Sequence, residues 1–355
     1  INMDQNSKLF FLDAYALIYR AYYAFIKNPR INSKGFNTSA ILGFVNTLED
    51  VLKKENPTHI GVAFDPSGPT FRHEAYEQYK AQREETPEAI RLSVPIIKDI
   101  IRAYRIPILE VAGYEADDVI GTLATKAGQQ GITTYMMTPD KDYGQLVTEH
   151  VFMYRPKYGD KEFEVMDIEQ VKAKFDIQSP SQVIDMLGLM GDASDNIPGC
   201  PGVGEKTAQK LIAEFGNIEN LLEHTDQLKG ALKTKVETNR EMITFSKFLA
   251  TIKTDVPIQF DAAKCIREKV NEERLVEIYT ELEFRTFINR MDREPEKVKT
   301  ESKAAPAPAK TGTRKKAAPT GPIQGSLFEE FAAEPTTVPK YSTLANLKST
   351  PHTYH

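Results

Sequence analysis

Short runs of apolar, β-rich residues recur through the first half of the chain and predict strands. They lie at 9–12, 60–64, 106–111, 133–137 and 151–154. Several of these runs are followed by apolar residues at helical spacing. Strands that alternate with helices are typical of a parallel sheet covered by helices. The predicted fold class is therefore α/β, with a mostly parallel central sheet flanked by helices.

The spacing of apolar residues changes after about residue 167. Strand signals fade, and apolar residues recur as in a helix, for example at Val183, Met186 and Leu187. We therefore expect an α/β core over 1–166 and a helical subdomain over 167–295. Within the core, prolines interrupt the segment 66–95, which we expect to form a mobile helical element.

The segment 296–322 has no aromatic residue, four prolines and an excess of positive charge. Such a composition does not repay the entropy lost on ordering, so we predict a disordered basic linker. The remaining residues, 323–355, are expected to start a further domain that is truncated here. Because the linker is basic and the net charge of the whole chain is −5, the excess of acids lies in the ordered body.

Composition also excludes several classes of protein. The chain has 355 residues, of which 41% are hydrophobic and 27% charged, so it is neither fibrous nor wholly disordered. No apolar run approaches the roughly 18 residues that cross a bilayer, and no signal-peptide pattern is present, so a cytoplasmic location is expected. Cys200 and Cys265 are the two cysteines. They lack metal-ligand spacing, so we expect neither a disulfide framework nor a zinc site.

Acidic residues follow the strand-like runs where parallel strands end. Asp13 follows LFFL, and Asp65 follows IGVAF. The carboxyl ends of parallel strands meet at one edge of a sheet, where ligands bind. Further acids occupy similar positions or tight turns: Glu115, Asp117 and Asp118 in GYEADDVIG, Asp140 and Asp142 in TPDKD, and Asp192 and Asp195 in GDASDN.

Any one of these acids could be a helix cap or a turn residue. Gathered at one edge, they would repel one another and raise their pKa values, so a cation should neutralise them. Oxygen ligands without His or Cys favour hard cations, and Mg²⁺ or Mn²⁺ is expected. Two such ions could activate a water and stabilise the leaving oxygen in phosphodiester hydrolysis.

A second motif, DNIPGCPGVGEKTAQKLIAEFG, predicts a tight turn and a helix that begins near Glu205. Unpaired N–H groups at such a helix start bind phosphate without reading sequence, and Lys206 and Thr207 can add contacts. A purely structural loop is the alternative, since Gly and Pro punctuate many helix pairs. The glycines that would shape the turn are Gly199, Gly202 and Gly204.

A third stretch interleaves cations with aromatic residues inside 66–95. Its composition suits an element that cups a nucleic-acid backbone and stacks a base. Lys80 and Arg83 are expected to share one helical face. An ordinary solvated helix is the alternative. The residues concerned are Arg72, Lys80, Arg83 and Arg91 with Phe71, Tyr76 and Tyr79.

These motifs, in this order, resemble the 5′ nuclease domains of bacterial DNA polymerase I, within the flap endonuclease family. The resemblance covers about residues 8–290. It implies a PIN-like 5′ nuclease fold with a helical arch and a C-terminal helix-hairpin-helix subdomain. The matching blocks are FFLDAYALIYRAYYA, VAFDPSGPTFRHEAYEQYKAQRE, GYEADDVIGTLA, TPDKDYGQLV and GLMGDASDNIPGCPGVGEKTA.

The resemblance implies a role for each matching residue. Asp117, Asp140, Lys80 and Arg83 would be catalytic, and Arg72 and Tyr79 would join Lys80 and Arg83 in contacts to DNA from the arch. The turn that holds duplex DNA would comprise Gly199, Gly202, Gly204, Lys206 and Thr207, with K⁺ bound through backbone carbonyls. The implied metal ligands are Asp13, Asp65, Glu115, Asp117, Asp118, Asp140, Asp142, Asp192 and Asp195.

The implied activity is that of a structure-specific 5′-3′ exonuclease and flap endonuclease. Its substrates would be 5′ flaps, nicks and RNA primers on duplex DNA, in replication and repair. A polymerase domain would follow in the full-length chain, so the present sequence should cleave DNA but not polymerise it. The family also implies a monomer. Two alternatives stay open: a PIN-like metal-dependent ribonuclease and a non-catalytic DNA-binding module.

A last motif follows the predicted linker. Gln324, Leu327 and Phe328 resemble the short peptides that insert into the bacterial sliding clamp, although Gly325 stands where Leu is usual. Two apolar anchors on a flexible arm suffice for a weak tethering contact. The alternative is that Leu327 and Phe328 pack on the next domain.

Overall fold

The computed structural model describes residues 7–157 and 162–291. The predicted linker, the segment 323–355 and the clamp-like residues Gln324, Leu327 and Phe328 lie outside the described residues, so those expectations stay predictions. No helix in the described part is long and apolar enough to cross a membrane.

A six-stranded sheet in the order β3-β2-β1-β4-β5-β6 forms the centre of the first half. All neighbouring strands are parallel except β5 and β6. The mostly parallel sheet is as predicted; β6 was not predicted, and the run 106–111 contributes only two residues as β3. The strands are β1 Lys8–Asp13, β2 His59–Ala63, β3 Ile108–Leu109, β4 Thr133–Met137, β5 Val151–Pro156 and β6 Phe163–Met166.

The central strand β1 is covered by helices on both faces. Leu9 and Phe11 pack into one hydrophobic cluster, and Phe10 and Leu12 pack into the other. All four side chains are fully buried. This alternation follows from the two-residue period of a strand. A buried parallel sheet therefore explains why β1 is apolar at every one of these positions.

Within the described residues of the sheet half, five α-helices accompany the strands, and Asp13 links the first of them to β1. Asp13 ends β1 and caps the following helix, because its carboxylate accepts a hydrogen bond from the Ala16 N–H. The five helices are α1 Ala14–Ala24, α2 Ser39–Lys54, α3 Phe71–Ala75, α4 Glu88–Ala103 and α5 Ala116–Gln129.

The remaining described helices follow the sheet. Two of them return to the first half: Tyr279 contacts Tyr104 through the hydroxyls at 3.3 Å, and Arg290 pairs with Glu49 at 3.1 Å. The division at 166/167 therefore remains a prediction. The helices are α6 Ile168–Phe175, α7 Val183–Met190, α8 Glu205–Phe215, α9 Ile218–Glu223, α10 Gly230–Thr238, α11 Arg240–Ala250, α12 Glu272–Glu281 and α13 Arg285–Met291.

The arch segment 66–95 is less helical than predicted. Only the short α3 and the start of α4 are helical, and residues 77–83 form turns. Lys80 has a positive φ of 56°, which a helix does not allow. Lys80 and Arg83 therefore do not share a helical face, and that expectation was wrong.

Candidate active site

Parallel strand ends bring the first acids together. Asp13 is the last residue of β1, Asp65 lies two residues beyond β2, and Asp140 follows β4. These strands are neighbours in the sheet. Asp65 is fixed in turn to the start of α5, because its Oδ1 accepts a hydrogen bond of 2.7 Å from the Ala116 N–H.

The charges of these acids act on one another. Burial raises the pKa of Asp13 to about 7, with further contributions from Asp65 and Asp140. Burial also raises the pKa of Asp140, to which Asp195 and Asp192 add. The acids predicted from separate motifs therefore form one electrostatic cluster, as the argument from strand ends requires.

Asp117 and Asp142 carry the clearest signs of a missing positive charge. The pKa of each is raised well above its ordinary value, first by burial and then by neighbouring carboxylates. Oδ1 of Asp142 is buried and has no hydrogen-bond partner among the described residues. A buried carboxylate oxygen without a donor needs a cation. These oxygen ligands therefore fit a hard divalent ion.

Glu115 is buried and lies under the arch. Its Oε1 accepts a hydrogen bond of 2.7 Å from the Lys80 ammonium, and its Oε2 accepts bonds from Arg72 at 2.8 Å and from the Tyr79 hydroxyl at 3.0 Å. Burial alone would raise the pKa of Glu115, but the positive charges of Lys80 and Arg72 outweigh it and lower the pKa. Glu115 therefore stays ionised.

Asp195 lies in the turn 193–196 and meets the same arch. Its carboxylate pairs with Lys80 at 3.7 Å and with the Arg83 guanidinium. These cations lower the pKa of Asp195 in spite of its burial. Just before this turn, Asp192 accepts hydrogen bonds from the N–H and hydroxyl of Ser194. Both acids of the GDASDN motif thus belong to the cluster.

Two residues that were expected to contact DNA are buried instead. Arg72 is 1% exposed, and Tyr79 is 3% exposed. The Arg72 guanidinium bonds to Glu115 and Asp118, and the Tyr79 hydroxyl bonds to Glu115 and Asp195. Both side chains are therefore held by protein groups in this structure, and their contacts with DNA stay a prediction. Arg83, with 52% of its side chain exposed, remains accessible.

The glycine-rich turn joins α7 to α8. Gly199 and Gly202 have positive φ values of 63° and 75°, and a Cβ on Gly199 would clash with the backbone of Gly191. Gly204 has open space around its Cβ position and no positive φ. The first turn of α8 is solvent-facing and includes Lys206 and Thr207. Lys206 and Thr207 therefore lie at an accessible helix start, whereas Gly199 is buried; phosphate binding by this turn stays a prediction.

Sequence reasoning missed several residues at these sites. The hydroxyls of Tyr143 and Thr138 donate to Asp13, and Lys141 pairs with Asp192 at 3.4 Å. All three belong to the TPDKDY stretch, so their closeness in sequence to Asp140 and Asp142 could have predicted that they lie near the acids. Lys235 on α10 donates to the Gly202 carbonyl at 3.4 Å. No local signal could have placed Lys235 there.

Family models match most of the described chain. The 5′-3′ exonuclease N-terminal resolvase-like domain matches residues 8–176, and the 5′-3′ exonuclease C-terminal SAM fold matches 178–273. A 5′-3′ exonuclease of Aquifex aeolicus is 35% identical over 285 residues, which are 80% of this chain and 95% of that relative. The resemblance predicted from the motifs is thereby confirmed.

DNA polymerase I of Bacillus caldotenax is 41% identical over 289 residues, which are 81% of this chain and 32% of the relative. The chain thus spans about a third of the length of that relative. Among solved structures, the bacteriophage T5 flap endonuclease in a complex with DNA and metal ions gives a TM-score of 0.57 at 22% identity. The match covers 78% of this chain and 99% of that chain. This likeness supports the predicted fold class.

Proposed function

The chain belongs to the 5′-3′ exonuclease family, and we propose that it is a divalent-metal-dependent, structure-specific 5′ nuclease. Its substrates are 5′ flaps, nicks and RNA primers annealed to DNA, as in replication and repair. The observation that carries the proposal is the buried carboxylate cluster, in which Oδ1 of Asp142 has no hydrogen-bond partner within 7–157 and 162–291. Mg²⁺ or Mn²⁺ held there would activate water and stabilise the leaving oxygen.

Different residues around that cluster bind the cations, the scissile phosphate and the duplex. Asp13, Asp65, Asp117, Asp140 and Asp142 offer carboxylate oxygens for the cations. Lys80 and Arg83 lie over Glu115 and Asp195, where a scissile phosphate would also receive their positive charge. The accessible start of α8 holds duplex DNA by its phosphates, with Lys206 and Thr207.

Neither alternative accounts for the whole chain. A PIN-like ribonuclease usually lacks the glycine-rich hairpin that follows the acids here. A non-catalytic DNA-binding module would have no use for acids whose pKa values are raised by burial and, after it, by mutual repulsion. The intact cluster therefore favours a nuclease.

A cleavage assay tests the proposal. Wild-type protein should cut a labelled 5′-flap DNA in Mg²⁺ and not in EDTA, and Asp140→Asn should abolish cutting while DNA binding is retained. Plain single-stranded RNA, run beside the flap, tests the ribonuclease. Cleavage of the RNA alone, or unchanged turnover by Asp140→Asn, would contradict the proposal.

Further partners follow from the same role. The protein would act as a monomer in the cytoplasm, joined to a polymerase domain in the full-length chain, with K⁺ on carbonyls of the α7–α8 turn. The peptide with Gln324, Leu327 and Phe328 would bind the sliding clamp. A fluorescent peptide spanning 322–331 that shows no saturable binding to the clamp would end that idea.

A further inference from the structure

We propose that Asp118, which the family resemblance counts among the metal ligands, is instead the carboxylate half of a buried positioning pair with Arg72. The pair orients Glu115 and joins the arch to the end of α11. This inference rests on the proposed metal-dependent function and refines it, because it separates Asp118 from the acids that hold cations.

The hydrogen bonds of Asp118 leave no oxygen position for a metal. Oδ1 accepts from Arg72 Nη2 at 2.9 Å and from the Lys253 N–H at 2.7 Å. Oδ2 accepts from Arg72 Nη1 at 2.7 Å and from the Glu115 N–H at 3.1 Å. An ionised carboxylate has about four acceptor positions, and all of them are used. Asp118 is also fully buried.

The Arg72 guanidinium is equally saturated. It has five N–H donors. Two of its bonds go to Asp118 and one to Glu115. The other two go to the carbonyls of Leu249 and Thr251, each at 2.8 Å. Arg72 therefore has no donor left for a phosphate, and it caps the C-terminal end of α11.

Proximity alone does not separate the acids at the start of α5. Glu115, Asp117 and Asp118 each place a carboxylate oxygen within 4.8 Å of the others, so distance alone would accept all three as ligands. Their partners differ. Asp117 accepts a hydrogen bond of 2.7 Å from the Asp118 N–H through its Oδ1. Asp117 thus retains capacity for a cation, whereas Asp118 does not.

The Arg72–Asp118 pair also determines which carboxylate oxygen of Glu115 faces the site. Arg72 Nη1 lies between Oδ2 of Asp118 and Oε2 of Glu115. It therefore holds Oε2 toward the interior, together with the Tyr79 hydroxyl. Oε1 is left facing Lys80. Arg72 and Asp118 thus act on the site through Glu115.

The adjacent substitutions Asp117→Asn and Asp118→Asn test the proposal, because the same change should have opposite effects. Melting temperatures are measured in EDTA and in Mn²⁺, without DNA. Asp117→Asn should melt no lower than wild type in EDTA, since it removes repulsion, and should lose most of the Mn²⁺-induced rise. Asp118→Asn should melt about 5–10 °C lower in EDTA and keep the rise. The reason is that the NH₂ group of the new asparagine would face N–H donors that now bond to the carboxylate.

Arg72→Lys provides a second variant if Asp118→Asn does not fold. A single ammonium cannot replace the guanidinium fork, so Glu115 should lose its orientation. We expect kcat on flap DNA to fall about tenfold, KM to stay within about threefold, and the Mn²⁺-induced rise to persist. A residue that contacted DNA would raise KM instead, which would contradict the positioning role.

Wild-type crystals soaked in Mn²⁺ show directly which carboxylates coordinate the ion, without any variant. The Asp118 oxygens should remain on Arg72, outside coordination distance of any Mn²⁺. A Mn²⁺ bound to Asp118, or an Asp118→Asn protein with wild-type stability in EDTA and no Mn²⁺-induced rise, would overturn the inference. Wild-type protein without any Mn²⁺-induced rise would instead overturn the proposed function.

Discussion

The hydroxyl of Tyr143 donates a hydrogen bond of 3.0 Å to Oδ2 of Asp13. Tyr143 is fully buried, and its pKa is raised well above its ordinary value by burial and by the charges of Asp13, Asp117 and Asp140. The hydroxyl therefore stays protonated and acts as a donor. Thr138 donates to the same oxygen at 3.2 Å. Asp13 is thus oriented by two hydroxyls, with its Oδ1 held by the Ala16 N–H.

We expect Tyr143→Phe to slow cleavage about tenfold, because partners that orient a metal ligand typically contribute 10- to 100-fold. Stability should fall by only about 1 kcal/mol, since Thr138 still donates to Asp13. Single-turnover cleavage of flap DNA and urea unfolding measure the two effects. Tyr135→Phe is the matched control, because no hydroxyl hydrogen bond of Tyr135 is among those found in 7–157 and 162–291. Equal slowing in both variants would contradict the role of Tyr143.

Asp13→Asn should stabilise the metal-free protein at pH 8. The folded pKa of about 7 lies above the ordinary 3.8, so the folded state binds more protons over that range and loses stability as pH rises through it. Asn removes this buried charge and should raise the free energy of unfolding in EDTA at pH 8 by about 2 kcal/mol. Urea unfolding measures this change.

The advantage of Asp13→Asn should disappear at pH 4, where the wild-type carboxyl is protonated, and reverse in Mg²⁺, which the wild type binds better. Asp50→Asn, which changes an exposed acid, is the control and should show no such pattern. A variant that is less stable than wild type in EDTA at pH 8 would show that the hydrogen bonds of the Asp13 carboxylate outweigh its burial and its repulsion by the other acids.

The acids could be found from the sequence because their positions follow from strand ends, which the apolar pattern locates. Asp13 and Asp140 therefore reached one sheet edge as expected. The positive charge of Arg72 did not reveal that its side chain is buried. Its carbonyl partners, Leu249 and Thr251, lie far along the chain. No local pattern reveals that a cation will be enclosed by such distant carbonyls.

The turn at 77–83 shows the same limit for local structure. Lys80 adopts a positive φ while its N–H donates to the Asp195 carbonyl at 3.0 Å, and Asn196 donates to the Gln78 carbonyl at 2.6 Å. These bonds to the turn 193–196 compensate for a strained backbone. Helical propensity in the arch was thus overridden by contacts with residues over a hundred positions away, as the Asn196 bond illustrates.

Lys80→Ala should reduce kcat on flap DNA about 100-fold, since a donor aimed at developing phosphate charge is worth about 3 kcal/mol. Affinity for the same DNA should change little, because the proposed contact with the duplex phosphates lies at the start of α8. Single-turnover rates and fluorescence anisotropy measure the two quantities. Arg102→Ala is the matched control, since Arg102 lies outside the arch, is 62% exposed and forms an ion pair with Asp99 on the same helix. A loss of affinity without a loss of rate would place Lys80 in binding instead.

The geometry of the glycine-rich turn predicts that alanine destabilises the fold at Gly199 but not at Gly204. Gly199→Ala should destabilise the fold by at least about 1 kcal/mol, because φ is positive and the added Cβ would clash with the Gly191 nitrogen. Gly204→Ala meets open space at a negative φ and should leave the free energy of unfolding within about 0.5 kcal/mol. Thermal and urea unfolding compare them, and equal destabilisation would contradict the assigned geometry.

Lys206 tests the turn as a phosphate contact. It is exposed in the first turn of α8, where helix N–H groups also face solvent, so a duplex phosphate docked there would meet its ammonium. Lys206→Ala should weaken binding of nicked duplex about equally for different sequences and reduce the salt slope by about one, because one counterion fewer is released. Lys210→Ala, an exposed lysine one turn further along α8, should leave the slope unchanged. An unchanged slope for Lys206→Ala would remove α8 from the DNA interface, since a sequence-independent phosphate contact must appear in the salt dependence.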